Sequence, residues 1–413
     1  LTHIPATTLG ETYWHDRGPF LARLYTDLGP VVRAQLGRTE VVFLLGPAAN
    51  QFVLQTHRHA FSYREGWGWI FNQTTGPANL LTMDEPEHGV HRRIMRPALA
   101  ARRMQDYHAL LAPIIGRRLD TWIVRGVVDL YEECKVITFD AVAEAVLGVR
   151  PVPDLLLWRA VYLHGAHRRR EELAARYRQM IARRRLQPTD DVLGLLAGAT
   201  DAYGQPYSDA QIIAHADTLL VAGYETSASL AAWAIYLLAE HPTYHERLCA
   251  EIAGAAIDAG QPGPAGRESL LIEYLLNEAE RLYPPIPIGA RGLLQDVVFA
   301  GYALPAGTKV FYSAAATHLL PEIWREPTRF DPDRFAPPRE EHRQVPYALV
   351  GFGGGPRVCI GFSFARYELT LLLASIATRF RLTTVPGQTI VQRHGVTSRP
   401  RHGIRVQVQA RHP

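Results

Sequence analysis

Phe352-Gly353-Gly354-Gly355-Pro356-Arg357-Val358-Cys359-Ile360-Gly361 places three consecutive glycines and a proline just ahead of a cysteine. Such a run does not make helix, because glycine and proline are the poorest helix formers. It predicts a tight loop in which backbone comes close to another group. The loop leads directly into a helical pattern containing Phe364, Ala365, Tyr367 and Leu369, which extends to about Arg379. A cysteine at the start of a helix lies among free N–H groups and a positive dipole end, both of which favour thiolate over thiol. A thiolate held in this way is a suitable axial ligand for heme iron, where it helps break a bound O–O bond. The bland alternative is a small core cysteine beside a structural glycine turn. That alternative is the expectation for Cys134 and Cys249, which have no such surroundings.

The rest of the chain bounds what such a loop can serve. At 413 residues, with 47% apolar and 20% charged residues, it can bury a large core. A net charge of +4 is small for this length and does not point to nucleic acid. Three scattered cysteines are too few for a disulfide framework and fit a reducing, cytoplasmic setting. No segment has the roughly 20 uninterrupted apolar residues of a membrane span. Residues 1–25 lack the charged and apolar blocks of a secretory leader.

Helical periodicity predicts helices over 19–28, 48–56, 87–95, 106–125, 130–147, 171–184, 191–197 and 209–240. The last would run roughly 48 Å at 1.5 Å per residue, and its apolar character marks it as a buried central helix. Val31–Leu36 and Glu40–Leu45 flank Gly37-Arg38-Thr39 as a β-hairpin signal. The expected fold class is mainly α with a small β portion. The β-rich parts lie near 31–45, 286–335 and 385–413, and 1–413 form one domain.

Within the central helix stands Ala222-Gly223-Tyr224-Glu225-Thr226-Ser227. Thr226 can return a hydrogen bond to the carbonyl of Ala222 and bend the helix. Small residues at such a bend open a groove, and an acid beside the threonine can relay protons. Alone, this string is weak evidence. Together with the loop it resembles the cytochrome P-450 family. Phe352, Gly355, Arg357, Cys359 and Gly361 fit its F-x-x-G-x-R-x-C-x-G signature, and residues 222–227 fit A-G-x-[D/E]-T-[T/S]. The resemblance covers almost the whole chain. It implies a long central helix over a buried heme b, with Cys359 as the metal ligand, Phe352 and Gly353 beside it, and Arg357 on a heme propionate. Thr226 and Glu225 are implied as the catalytic pair that activates dioxygen.

Other assignments follow from the resemblance alone. Glu278 and Arg281 share a helix face, and by themselves would be an ordinary surface pair. The family buries such a pair against the arginine of F-x-P-x-R-F, here Arg334. His88 and Arg92, four apart on one helix, and Arg291 after the Pro284-Pro285 turn are implied as further propionate partners. A metal held by His88 and His91 would lack a third ligand nearby. Family position implies a pocket lined by Trp67, Trp69, Ile70, Phe71, Val221, Ala222, Ile286, Ile288 and Val396, each of which could equally be plain core. An apolar, aromatic set of this kind suits a fatty acid, terpenoid, steroid or polyketide. Arg64 is expected at the surface. The roof of the pocket, for which only residues 150–180 are available, looks short, as though a mobile loop were missing; Arg168, Arg169 and Arg170 are expected on a solvated edge. No reductase domain is expected, so electrons would come from a separate ferredoxin or flavodoxin-type donor with its reductase, docking on Arg96, Arg102, Arg103 and Arg366. A monomer is expected. A peroxide-driven hydroxylase and a non-enzymatic heme-thiolate sensor remain alternatives. The acid–alcohol pair favours dioxygen chemistry.

Overall fold

The computed structural model describes residues 3–74, 79–149, 152–201, 204–254 and 270–411. The central helix, Asp209–Glu240, is organised from its first turn. The Ser208 hydroxyl accepts from the Gln211 N–H while the Gln211 side chain reaches back to the Ser208 N–H, a reciprocal cap. Its second half is buried among Met104–Arg125, Leu130–Ala141, Leu270–Leu282 and Phe362–Arg379. Its first half lies beneath Val152–Tyr162 and Arg170–Leu186. One helix therefore spans both apolar cores, which explains why it is hydrophobic nearly all round.

The strands sit to one side. A six-stranded sheet runs in the order Ala6–Thr8, Val31–Leu36, Thr39–Leu44, Lys309–Ser313, Ile288–Leu293 and Phe61–Ser62. Pairing of Leu36 with Thr39 leaves Gly37-Arg38 as the two-residue turn, and Gly37 takes φ +60° there. A second sheet joins Phe380–Thr384 and Val127–Asp129 to the two edges of Arg405–Ala410. Gln392–His394 and Ser398–Pro400 form a separate hairpin.

Several expectations shift. Within 286–335 the strands stop at Ser313; a short helix, Ala314–Thr317, and a 3₁₀ turn, Pro332–Phe335, take the rest. The C-terminal β region begins at Phe380 rather than 385, and its sheet recruits Val127–Asp129 from mid-chain. Tyr63–Thr74 is helical although Gly66 and Gly68 argue against it. Gly66 is there for close approach: a Cβ on it would lie 2.4 Å from the carbonyl oxygen of Ala290, so this helix lies flush on strand Ile288–Leu293. The roof has both of its helices, Val152–Tyr162 and Arg170–Leu186, joined by a turn over 163–169. Two helices are therefore present between 152 and 186, where the resemblance implies a roof.

Two deeply buried histidines set an acid limit on stability. Burial pushes His215 and His318 down to about 3, helped by neighbouring His91 and Arg281 respectively. Both are neutral in the fold, whereas in the unfolded chain they protonate near 6.5. Below that value the unfolded state binds more protons, so stability falls as pH drops from about 6.5 toward 3. His318 Nε2 accepts from the Val350 N–H at 3.1 Å. A His318→Gln variant keeps an acceptor there. Melting temperatures measured from pH 7 down to 4 are expected to fall less steeply for that variant than for the native chain.

Candidate active site

The cysteine loop is built on left-handed glycines. Gly353 has φ +76° and Gly355 φ +62°, and a Cβ on Gly355 would lie 2.3 Å from the Leu54 carbonyl oxygen. The Cys359 N–H donates to the Phe352 carbonyl at 2.9 Å, closing the loop. Gly361 caps helix Phe362–Arg379, so Cys359 stands just ahead of its first turn. The rings of Phe352 and Phe362 meet edge-on at 4.9 Å. Cys359 has accessible surface, but that surface lies in the wall of an internal cavity of about 710 Å³. Burial pushes its thiol up, against the pull of the Gly361 N–H and of Arg92.

One wall of the cavity carries an excess of positive charge. Arg291 and Arg357 stack on the ring of Tyr63, at 3.4 Å and 3.6 Å from its centroid. Arg357 Nη2 also donates to the Met83 carbonyl, and Arg92 Nη2 to the Val358 carbonyl at 2.6 Å. Arg291 Nε and Arg357 Nη1 are buried without a hydrogen-bond partner. His88 completes the group. Its Nδ1 contacts Glu85 Oε1 at 2.8 Å, and burial with the nearby Arg357 pushes its pKa down to about 4. His91, the other half of the imagined metal pair, points elsewhere: its Nδ1 lies 2.7 Å from His215 Nε2. Among the described residues no group of three or more His, Cys, Asp or Glu is set to hold a metal ion.

The central helix supplies the facing wall. Val221, Ala222, Glu225 and Thr226 line the cavity, and Thr226 Oγ1 donates to the Ala222 carbonyl at 2.7 Å. Burial raises the Glu225 carboxyl, opposed by Arg399 and Lys135, and Arg399 Nη1 lies 3.9 Å from its Oε1. Trp67, Phe71, Ile286, Ile288 and Val396 also line the cavity. Trp69 and Ile70 belong to helix Tyr63–Thr74, but their side chains lie outside the described residues. Arg64 is exposed and pairs with Glu87 at 3.3 Å. Arg168, Arg169 and Arg170 are all exposed, as expected, and Arg170 also lines the cavity.

Beneath the cysteine loop Glu278, Arg281 and Arg334 come together with 0% side-chain exposure. Glu278 takes both Arg281 donors, at 2.7 and 2.8 Å, and Arg334 Nε at 3.1 Å. Glu341, which no motif singles out, takes Arg334 Nη1 at 2.7 Å. Arg103 is engaged by Asp106 and Asp190, and Arg366 is half-buried with a bond to the Glu273 carbonyl. Arg96 and Arg102 alone of the four docking arginines are fully exposed. Tyr63, Glu85 and Arg399 were not legible as site residues, since each gains its place only through contacts distant in sequence.

The residues present fit a heme. A lone sulfur faces a cavity whose walls are mostly apolar, and buried guanidinium nitrogens without partners match the two carboxylates of a dianionic porphyrin edge. Fold and site together define a heme-thiolate enzyme. Comparisons with known proteins agree. The cytochrome P450 family profile matches residues 6–152 and 160–406. Putative cytochrome P450 120 of Synechocystis is 29% identical over 97% of this chain and 95% of its own. Cyclooctat-9-en-7-ol 5-monooxygenase of Streptomyces melanosporofaciens is 34% identical over 92% and 89%. The solved structure of retinoic acid-bound cyanobacterial CYP120A1 superposes with a TM-score of 0.86 at 29% identity, covering 98% of this chain and 99% of that one. The chain belongs to the cytochrome P450 family, and it is a heme-dependent monooxygenase.

Removing the Glu278 carboxylate would leave the buried Arg281 guanidinium without its carboxylate and Arg334 with Glu341 alone. Glu278→Ala is expected to destabilise the fold by about 3–5 kcal/mol. The purified variant should carry little heme relative to protein absorbance; full heme occupancy at native melting temperature would contradict the structural role.

Proposed function

We propose that this enzyme inserts one oxygen atom from dioxygen into a largely hydrocarbon substrate of the terpenoid kind, using electrons from a separate ferredoxin or flavodoxin-type donor. The observation that carries the dioxygen reading is the adjacent Glu225 and Thr226 lining the same cavity as Cys359. Heme, once bound, supplies electron acceptance and dioxygen activation. Cys359 would bind its iron, and Arg92, Arg291, Arg357 and His88 would hold its propionates. Phe352, Gly353 and Gly361 shape the ligand loop. Thr226 spends its hydroxyl hydrogen on Ala222, so its oxygen presents lone pairs to the cavity and can accept from a water there. Glu225, held above the usual carboxylate range by burial, carries a proton nearer neutrality than an exposed glutamate. Arg399, next to Glu225, also reaches the Tyr131 hydroxyl at 3.4 Å, which marks a polar route outward.

The apolar cavity supports the substrate class, as do two relatives: one named for an alcohol of a carbocycle, the other holding retinoic acid. Both are mostly hydrocarbon with one polar group. Exposed Arg96 and Arg102, on the side of the chain leading to the cysteine loop's Arg92 contact, suit an acidic electron donor. No helix among the described residues is long and apolar enough to cross a membrane, and the three cysteines are unpaired. We place the enzyme in the cytoplasm as a monomer.

Two measurements test this reading. With a surrogate ferredoxin and reductase, Thr226→Ala should lower product formed per dioxygen consumed by roughly 10²-fold, with Glu225→Gln slowing oxygen consumption. Turnover with hydrogen peroxide alone, unchanged in Thr226→Ala, would instead indicate the peroxide-driven alternative. Separately, Arg96→Glu with Arg102→Glu should slow heme reduction at low ionic strength and converge with the native rate in high salt; identical rates at low salt would remove this docking face.

A further inference from the structure

The roof of the cavity contains a polar cluster that none of the chemistry above uses. Asp217, on the first half of the central helix, lines the cavity and is deeply buried. Tyr162, at the end of helix Val152–Tyr162, donates its hydroxyl to Asp217 Oδ1. Tyr177, on helix Arg170–Leu186, lies near enough to act on Asp217 electrostatically, and accepts from Trp158 Nε1 at 3.1 Å. Arg170 lies at the rim and acts on Asp217 electrostatically. All of Tyr162, Arg170, Tyr177 and Asp217 reach the same cavity as Cys359.

An acid in an apolar pocket is costly unless its hydrogen-bonding capacity is met. A carboxylate offers about four acceptor positions, and Tyr162 accounts for one of them. The remainder can be met from the cavity. We propose that Asp217, oriented by Tyr162, is a specificity-determining anchor that accepts a hydrogen bond from a hydroxyl group already present on the hydrophobic substrate. A hydroxyl fits better than an amine, because Arg170 already balances the carboxylate and a second cation would face it. A substrate carboxylate is disfavoured by Asp217 itself. Measured along the helix at 1.5 Å per residue, Asp217 lies roughly 7 Å from Ala222 and roughly 13 Å from Thr226. The carbon oxidised therefore sits several bonds from the anchored hydroxyl, and the reaction that introduces that hydroxyl precedes this one. The proposal rests on the monooxygenase reading with its hydrocarbon-like substrate and adds the polar handle.

The test compares 1-dodecanol with dodecane, titrated into the heme-loaded enzyme while following the spin-state absorbance change. The native enzyme is expected to bind the alcohol about tenfold or more tighter than the alkane, the range of a hydrogen bond to a charged acceptor. Asp217→Leu should abolish that ratio while leaving alkane affinity unchanged or improved. Tyr162→Phe frees an acceptor position and should keep or raise the ratio. Should the leucine variant lose heme, Asp217→Asn carries the same comparison, with a smaller but measurable drop in the ratio. If Asp217 merely latched the roof to the central helix, Asp217→Leu and Tyr162→Phe would weaken both ligands alike, and the proposal would be overturned. Equal affinity for alcohol and alkane in the native enzyme would also overturn it while leaving the hydrocarbon-substrate reading intact. Absence of any spin shift with either compound would sink that reading and the anchor together.

Discussion

Everything at the cysteine side of this enzyme is suspended from one carboxylate, that of Glu278. It neutralises two guanidiniums where neither could be hydrated, and those guanidiniums fasten the polypeptide around them. Arg281 donates to the carbonyls of His318 and Pro327, and Arg334 to those of Arg325 and Arg329. His318, fixed in this way, accepts the N–H of Val350 two residues before Phe352. On the same helix as Glu278, Glu280 presses against Gly351, where a Cβ would come within 2.3 Å of its Oε1. The ion network thus reaches the sulfur-bearing loop in two short steps. It does so without touching the cavity, which is why its role is structural despite three fully buried charged side chains.

A second theme is the division of labour along the central helix. Its last part is aliphatic core. Its middle carries Gly223, where a Cβ would approach Val142 Cγ2 to 2.9 Å, so the helix crosses its neighbour Leu130–Ala141 and the π-turn after it at close range. Thr138 Oγ1 also donates to the Tyr224 carbonyl at 2.9 Å across this crossing. Close packing there fixes where Glu225 and Thr226 stand relative to Cys359. The helix's first part faces the roof and carries Asp217, a cavity-lining acid that the oxygen-side chemistry leaves unused.

Much of this was readable from the chain before any coordinates. The central helix, Glu87–Met95 and the helix after Cys359 follow from strong periodicity and clear stop signals. The cysteine loop was readable because glycine and proline leave few conformations open. Helix Tyr63–Thr74 was not, because its glycines serve a contact with strand Ile288–Leu293 instead of a turn. Of the two roof helices only the second, expected over 171–184, was legible in the sequence. Individual motifs gave Arg291 and Arg357 but could not give Tyr63, whose ring lies between them, since that sandwich joins three segments far apart in sequence. Asp217 was invisible for the same reason: its meaning depends on two tyrosines from other helices.

The pairing of His91 with His215 carries one more consequence. The two rings meet nitrogen to nitrogen at 2.7 Å, and His215 Nδ1 has no partner. An unmatched lone pair in the interior is less costly than an unmatched N–H, so the hydrogen between them belongs to His215 Nε2 and each ring is confined to a single tautomer. The helix that bears His88 and Arg92 is thereby stitched to the helix that bears Glu225 and Thr226 by one uncharged bond. The cavity wall bearing His88 and Arg92 and the wall bearing Glu225 and Thr226 are thus tied directly to each other, away from the cavity itself.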